Sequence, residues 1–146
     1  MMVWSFMNDP GRPDSHRWQA VKPWLDRALD DLDMVDAAMG LASPSVFGAS
    51  LHCQQAAEKM AKAVLIAFGA KPPRTHDLVR LSRLVETVDA EIGADIGALA
   101  QLTTWYAVAR YPDAADALPS SQDIRTAMTL LRALHRLVLS LAPEAE

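Results

Sequence analysis

Apolar residues recur every three or four positions in five stretches of the chain, and this spacing predicts five α-helices. The first stretch follows Asp14 or Ser15, either of which can cap a helix, and it ends at about Met39. Because Pro23 suits a first turn, the helix could also begin as late as Lys22. Its predicted buried positions are Leu25, Leu29, Leu32, Val35 and Met39. The predicted outward positions are all acidic: Asp26, Asp30, Asp31, Asp33 and Asp36.

The second predicted helix runs from about Pro44 to Phe68, with Ser43 as a candidate cap and Gly69 as its stop. One face of this helix carries small residues, which let neighbouring helices approach closely: Ala49, Cys53, Ala56, Ala57, Met60, Ala63, Val64 and Ala67. The opposite face sets polar residues in an apolar frame: Leu51, Gln55, Glu58, Lys62 and Leu65, flanked by His52 and Lys59. This mixed face fits either a buried polar network or a contact between two chains.

Shorter amphipathic stretches predict the remaining helices. Thr75 is the expected cap of a third helix over residues 76–88, after Pro72 and Pro73. Its buried stripe is Leu78, Leu81, Leu84, Val85 and Val88. Gly93 and Gly97 weaken the start of the fourth helix, whose apolar and aromatic residues are Ile96, Leu99, Leu102, Trp105, Tyr106 and Ala109.

A last helix is predicted between Ser121, its expected cap, and Pro143, its stop. Its apolar face consists of Ile124, Ala127, Met128, Leu131, Leu134, Val138 and Leu141. Short connections favour antiparallel neighbours, so we expect an all-α fold, a five-helix up-and-down bundle with four long antiparallel helices. Residues 17–142 form this bundle, and residues 1–16 are predicted to be a flexible segment.

Composition agrees with one globular domain. The chain has 146 residues, of which 51% are hydrophobic and 22% charged, and its formal net charge of −4 excludes the basic field of a non-specific nucleic-acid binder. The single cysteine, Cys53, excludes an internal disulfide and lies on the small-residue face, where an inert thiol is expected. Neither a signal peptide nor a membrane span is visible, so we expect a cytoplasmic protein. No metal-ligand or cofactor motif is recognised.

Three separated motifs together resemble the HEPN family. The first is His-x-Gln-Gln-Ala-Ala-Glu-Lys-x-x-Lys-Ala, from His52 to Ala63, on the second predicted helix. The second is Thr-His-Asp-Leu, from Thr75 to Leu78, and the third is Arg110-Tyr111-Pro112. The resemblance covers most of residues 18–141. It implies a small helical domain associated with nucleotide or RNA binding, with RNA cleavage in some branches, and often with a nucleotidyltransferase partner.

The resemblance also suggests where a ligand would bind. We expect polar residues of the second helix and of the other two motifs to surround one anionic or hydrogen-bonding group: His52, Gln55, Glu58, Lys59, Lys62, His76, Arg110 and Tyr111. Structural alternatives also account for these residue types, Tyr111 apart. Glu58 and Lys62 are spaced as a helical ion pair, His76 can bond a neighbouring helix, and Arg110 can complement a helix dipole.

Nuclease members of the family carry an arginine followed four to six residues later by a histidine. In this chain Ala115, Asp116 and Ala117 stand after Arg110, and the next histidine is His135. We therefore expect a non-catalytic module, acting as a homodimer, that binds a nucleotide or RNA or docks onto a nucleotidyltransferase. The alternatives are a toxin-like ribonuclease that uses a histidine from another helix and a purely structural dimeric bundle. The arginines of the last helix, Arg125, Arg132 and Arg136, are expected to be a solvated strip.

Overall fold

The computed structural model describes residues 13–100, 105, 111, 113 and 118–144, and this part of the chain is helical, with no β-strand. Its helices are α1 (Ser15–Met39), α2 (Val46–Ala67), α3 (Leu78–Glu86), α4 (Ala90–Ala98) and α5 (Ser121–Leu139). The all-α prediction is confirmed. No helix among the described residues is long and apolar enough to cross a membrane.

One helix cap was predicted correctly, and three differ from the predicted ones by one or two residues. Asp14, one of the two expected candidates, caps α1, whereas Ser45 rather than Ser43 caps α2. The cap of α3 is Asp77, whose carboxylate accepts from the backbone of the first turn, while Thr75 accepts from the Asp77 amide. Ser120 caps α5 in a reciprocal capping box with Asp123. Several adjacent polar residues satisfy the same capping rule, so sequence alone does not choose between them.

Three expectations for α1 were wrong. Pro23 lies inside the helix, not in its first turn. It lies on the exposed side, where the carbonyl of Gln19 that loses its helical partner can be hydrated. Asp31 does not face outward with the other aspartates but is only 5% exposed. Leu29, predicted to be buried, is 41% exposed.

The central helix of the bundle is α2, which packs against α1, α3 and α5. It runs antiparallel to α1. The backbone amide of Ser45, at the start of α2, donates to the carbonyl of Ala38 near the end of α1, over 3.0 Å. At the other end, the Arg17 guanidinium donates to the carbonyl of Ala67 over 3.4 Å. All eight residues of the predicted small-residue face are buried, so that prediction is confirmed.

The short helices α3 and α4 form a tight pair because of one glycine. A Cβ built on Gly93 would lie 2.7 Å from the backbone nitrogen and the Cα of Glu86, closer than real Cβ atoms approach. Gly93 is buried in α4, and its missing side chain lets α4 pack against the end of α3. Gly93, which was expected to weaken the start of this helix, is thus needed for the packing of α4 against α3.

Part of the predicted fourth helix lies outside the described residues, including Leu102, Tyr106 and Ala109. Within the described part, α4 begins at Ala90, capped by Asp89, and ends at Ala98. Trp105, one of the aromatic residues assigned to this helix, is helical and only 7% exposed. The predicted apolar face of α5 is also confirmed, since six of its residues are buried: Ile124, Ala127, Met128, Leu131, Leu134 and Val138.

Candidate functional site

A buried carboxylate joins α1 to one edge of α2. Oδ1 of Asp31 accepts from Nδ1 of His52 over 2.9 Å, and Oδ2 accepts from the ammonium of Lys59. Since an ionised carboxylate only accepts hydrogen bonds, the proton lies on Nδ1 of His52. Nε2 of a neutral His52 ring is then an acceptor directed away from Asp31. The carboxylate therefore fixes both the orientation and the tautomer of this histidine.

A second buried carboxylate joins the other edge of α2 to the segment before α3. Oε1 of Glu58 accepts from Nζ of Lys62 over 2.8 Å, and Oε2 accepts from Nδ1 of His76 over 2.9 Å. Glu58 and Lys62 are each only 8% exposed. Of the two arrangements the sequence left open for this face, the structure places these residues in a buried network within one chain.

Gln54 completes the contact with the segment before α3. Its Nε2 donates to the carbonyl of His76 over 2.9 Å, and its side chain is fully buried. Its Oε1 has no hydrogen-bond partner among the described residues. Such an acceptor normally costs about 1–3 kcal/mol, so Gln54 sets the position of His76 at some expense of stability.

The two α2 partners of Asp31, His52 and Lys59, form a partly exposed ridge together with Gln55, which we call the α2 ridge. Gln55 is half-buried and lies one turn from each of the other two. His52 and Lys59 expose 26% and 30% of their side chains, and His76, held by Glu58, exposes 59%. The charges of Lys59 and Lys62 are balanced by Asp31 and Glu58. The ridge therefore offers positioned hydrogen-bonding groups with little net charge.

The model of the family described as HEPN domain matches residues 21–141. The chain belongs to the HEPN family. The match extends from within α1 to the end of α5 and so includes both carboxylate clusters and the α2 ridge. It connects the chain with the nucleotide- or RNA-related functions of HEPN domains. No curated protein and no solved structure matches the chain.

The residues expected to bind ligand fall into three groups in this HEPN domain. Six of the eight are tied together by α2 and the segment before α3: His52, Gln55, Glu58, Lys59 and Lys62 lie on α2, and His76 joins them through Glu58. Tyr111 is 58% exposed. Arg110 lies outside the described residues, so its distance from the α2 ridge is not defined.

Sequence analysis missed two residues that organise the site. Asp31 was assigned to an acidic solvated face because four neighbouring aspartates follow the same pattern. Its position opposite His52 and Lys59 depends on the antiparallel pairing of α1 and α2. The spacing of apolar residues along α1 alone does not predict that pairing. Gln54 was passed over for Gln55, although a 100° rotation per residue places Gln54 nearer the buried side.

Neither a reactive thiol nor a metal site is found among the described residues. Cys53 is fully buried, and burial raises the pKa of its thiol from 9.0 to about 12. The thiol therefore remains protonated near neutral pH, as an inert packing group requires. Among the described residues, no group of three or more histidine, cysteine, aspartate or glutamate side chains is arranged to hold a metal ion.

Proposed function

We propose that this HEPN domain is a non-catalytic module that binds a nucleotide or a short RNA segment through the α2 ridge. The observation that supports this function is the position of Gln55 on α2, one turn from His52, which Asp31 holds, and one turn from Glu58, which holds His76. Side chains fixed before binding lose little conformational entropy when a ligand arrives. Such a surface favours a ligand with many hydrogen-bonding atoms.

The chemistry of the ridge suits the base and ribose portions of a nucleotide. Gln55 supplies both a donor and an acceptor, as recognition of a base edge or a ribose hydroxyl requires. His52 presents Nε2, and Lys59 presents an ammonium whose charge is already shared with Asp31. Because the local charges nearly cancel, binding at the ridge should depend only weakly on salt concentration.

Two further parts of the proposal, a homodimer and a protein partner, come from the family resemblance. We propose that the chain acts as a homodimer and that a nucleotidyltransferase is its protein partner. Light scattering on the purified chain tests the first, and co-purification with a nucleotidyltransferase encoded beside it tests the second. A monomer across the accessible concentration range would remove the homodimer from the proposal.

Gln55→Ala is the most direct test of the ridge. Gln55 makes no side-chain hydrogen bond among the described residues and is not fully buried, so its removal should leave the fold intact. We expect the affinity for the best-binding nucleotide or RNA to fall roughly three- to tenfold in calorimetric titration, the effect of about one net hydrogen bond. The matched control is Gln19→Ala on the exposed side of α1. Equal affinities for both variants and the unaltered chain would contradict the proposed site.

A ribonuclease is the second candidate, and the Asp31–His52 pair favours it. A histidine that donates Nδ1–H to a buried carboxylate and directs Nε2 outward has the orientation that a general base requires. This arrangement corresponds to the alternative in which a histidine from another helix replaces the missing family residue after Arg110. RNA cleavage that is lost in a folded His52→Ala variant would establish it. Intact RNA in the presence of the unaltered protein would exclude it.

A further inference from the structure

A cleft between α1 and α5 lies on a different side of α1 from the α2 ridge. It has a volume of about 140 Å³ and is lined by Leu29 and Leu32 of α1 and by Arg132, His135 and Arg136 of α5. Since a water molecule takes up about 30 Å³ of the liquid, the cleft has room for one tetrahedral oxyanion but not for a whole nucleotide.

The cationic wall of the cleft is only partly neutralised. Arg132 pairs with Asp36, and both side chains are substantially exposed. Arg136 lies one turn further along α5 and has no ion-pair partner in the part of the chain that the structure describes. Two arginines at this spacing repel each other, so an anion that contacts both would relieve the repulsion.

The geometry of the cleft is held by a contact between the two helices. Nε2 of His135 lies 3.3 Å from the carbonyl oxygen of Leu25, and because this oxygen only accepts, Nε2 carries the proton. Leu32 is fully buried, and Leu29 is partly exposed at the cleft. The two leucines therefore form the α1 side of the cleft, and the two arginines of α5 supply the positive charge that an anion would contact.

We propose that this cleft binds a phosphate monoester, the terminal phosphate of a nucleotide or of an RNA end. A monoester carries close to two negative charges at neutral pH, which match the two guanidinium groups. Arginine also forms paired hydrogen bonds to phosphate oxygens, unlike a point charge. In this proposal Asp36 competes with the phosphate for Arg132 and so lowers the affinity of the empty cleft. The site does not depend on ligand binding at the α2 ridge.

The test is a titration of the full, isotopically labelled chain followed by nuclear magnetic resonance. The probes are inorganic phosphate, a 5′-phosphorylated RNA dinucleotide and the same dinucleotide with a 5′-hydroxyl. We expect phosphate and the phosphorylated dinucleotide to shift the signals of Leu29, His135 and the arginine side chains of the cleft. The 5′-hydroxyl dinucleotide should bind roughly tenfold more weakly, since its phosphodiester offers a single charge.

Three variants sharpen the result. Arg136→Gln should weaken binding of the phosphorylated dinucleotide about tenfold, whereas Asp36→Asn should strengthen it roughly threefold by releasing Arg132. Arg83→Gln, which removes another exposed arginine, from α3, is the control and should change nothing. Unchanged binding in Arg136→Gln, equal losses in Arg136→Gln and Arg83→Gln, or equal affinity for the two dinucleotides would overturn the proposal. Phosphate binding that persists in Gln55→Ala separates this site from the α2 ridge.

Discussion

Asp31 is a single residue that connects two helices and two polar side chains of the α2 ridge. Its carboxylate is 5% exposed and accepts from both His52 and Lys59. Removing one member of a buried ion pair leaves the charge of its partner uncompensated. This lowers the stability of the fold more than the loss of an exposed pair does. The stability of the α1–α2 contact and the orientation of His52 therefore depend on the same group.

We expect Asp31→Asn to lower the free energy of unfolding by about 2 kcal/mol, at the low end for a buried pair because His52 and Lys59 are partly hydrated. Asp30→Asn, one position away on the exposed side, should change it by less than about 0.5 kcal/mol. Urea denaturation of both variants measures the difference. Similar losses in the two variants would mean that Asp31 has no special role in the fold.

Cys53 gives a prediction about pH. Burial raises the pKa of its thiol from 9.0 to about 12, so the folded chain keeps a proton that the unfolded chain releases. The stabilisation linked to this proton is complete below pH 9 and is lost as pH rises toward 12. A Cys53→Ala variant lacks this titration. As pH rises from 9 toward 12, the free energy of unfolding of the unaltered chain should therefore fall relative to that of the variant. A difference independent of pH would contradict the assignment.

At the scale of helices, periodicity predicted what each helix buries but not how pairs of helices meet. The apolar stripes of α2, α3 and α5 followed directly from the spacing of their residues. Helix starts shifted by one or two residues because neighbouring serine, threonine and aspartate residues can all act as caps. The buried state of Asp31 depends on the antiparallel alignment of α1 with α2, and the role of Gly93 depends on the approach of α4 to α3. Neither the burial of Asp31 nor the role of Gly93 can be predicted from the residue spacing within a single helix.

The two glycines of α4 provide a matched comparison. Alanine is favoured over glycine inside a helix by about 0.8–1 kcal/mol, so the same substitution would stabilise both positions if packing were equal. At Gly97 the nearest atoms to an added Cβ, those of Ser82, are 3.9 Å away, and Gly97→Ala should stabilise the protein. At Gly93 the added Cβ meets the backbone of Glu86, and Gly93→Ala should destabilise it by roughly 1–3 kcal/mol. Thermal unfolding of both variants checks the opposite signs. A stabilised Gly93→Ala would show that α3 and α4 are not in close contact.

At the scale of the molecule, three motifs far apart in the sequence indicated the HEPN family, and the family match over residues 21–141 confirmed it. The helical bundle was predictable because each helix has a clear period and clear stops. The site was predictable only in part. Sequence identified the polar face of α2, but the buried pairing of Glu58 with Lys62 and the contribution of Asp31 arise from packing between helices. The role of the α2 ridge in ligand binding remains a prediction.

The measurement that tests the central claim most directly is a titration of the purified chain with nucleotides and short RNAs, with the integrity of the RNA followed in the same samples. We predict saturable binding, a higher unfolding temperature in the presence of the ligand and intact RNA throughout, because a ligand selective for the folded state stabilises it by mass action. Cleaved RNA would contradict the non-catalytic assignment. A folded chain that binds none of the nucleotides or RNAs would contradict the proposal that this HEPN domain is a nucleotide- or RNA-binding module.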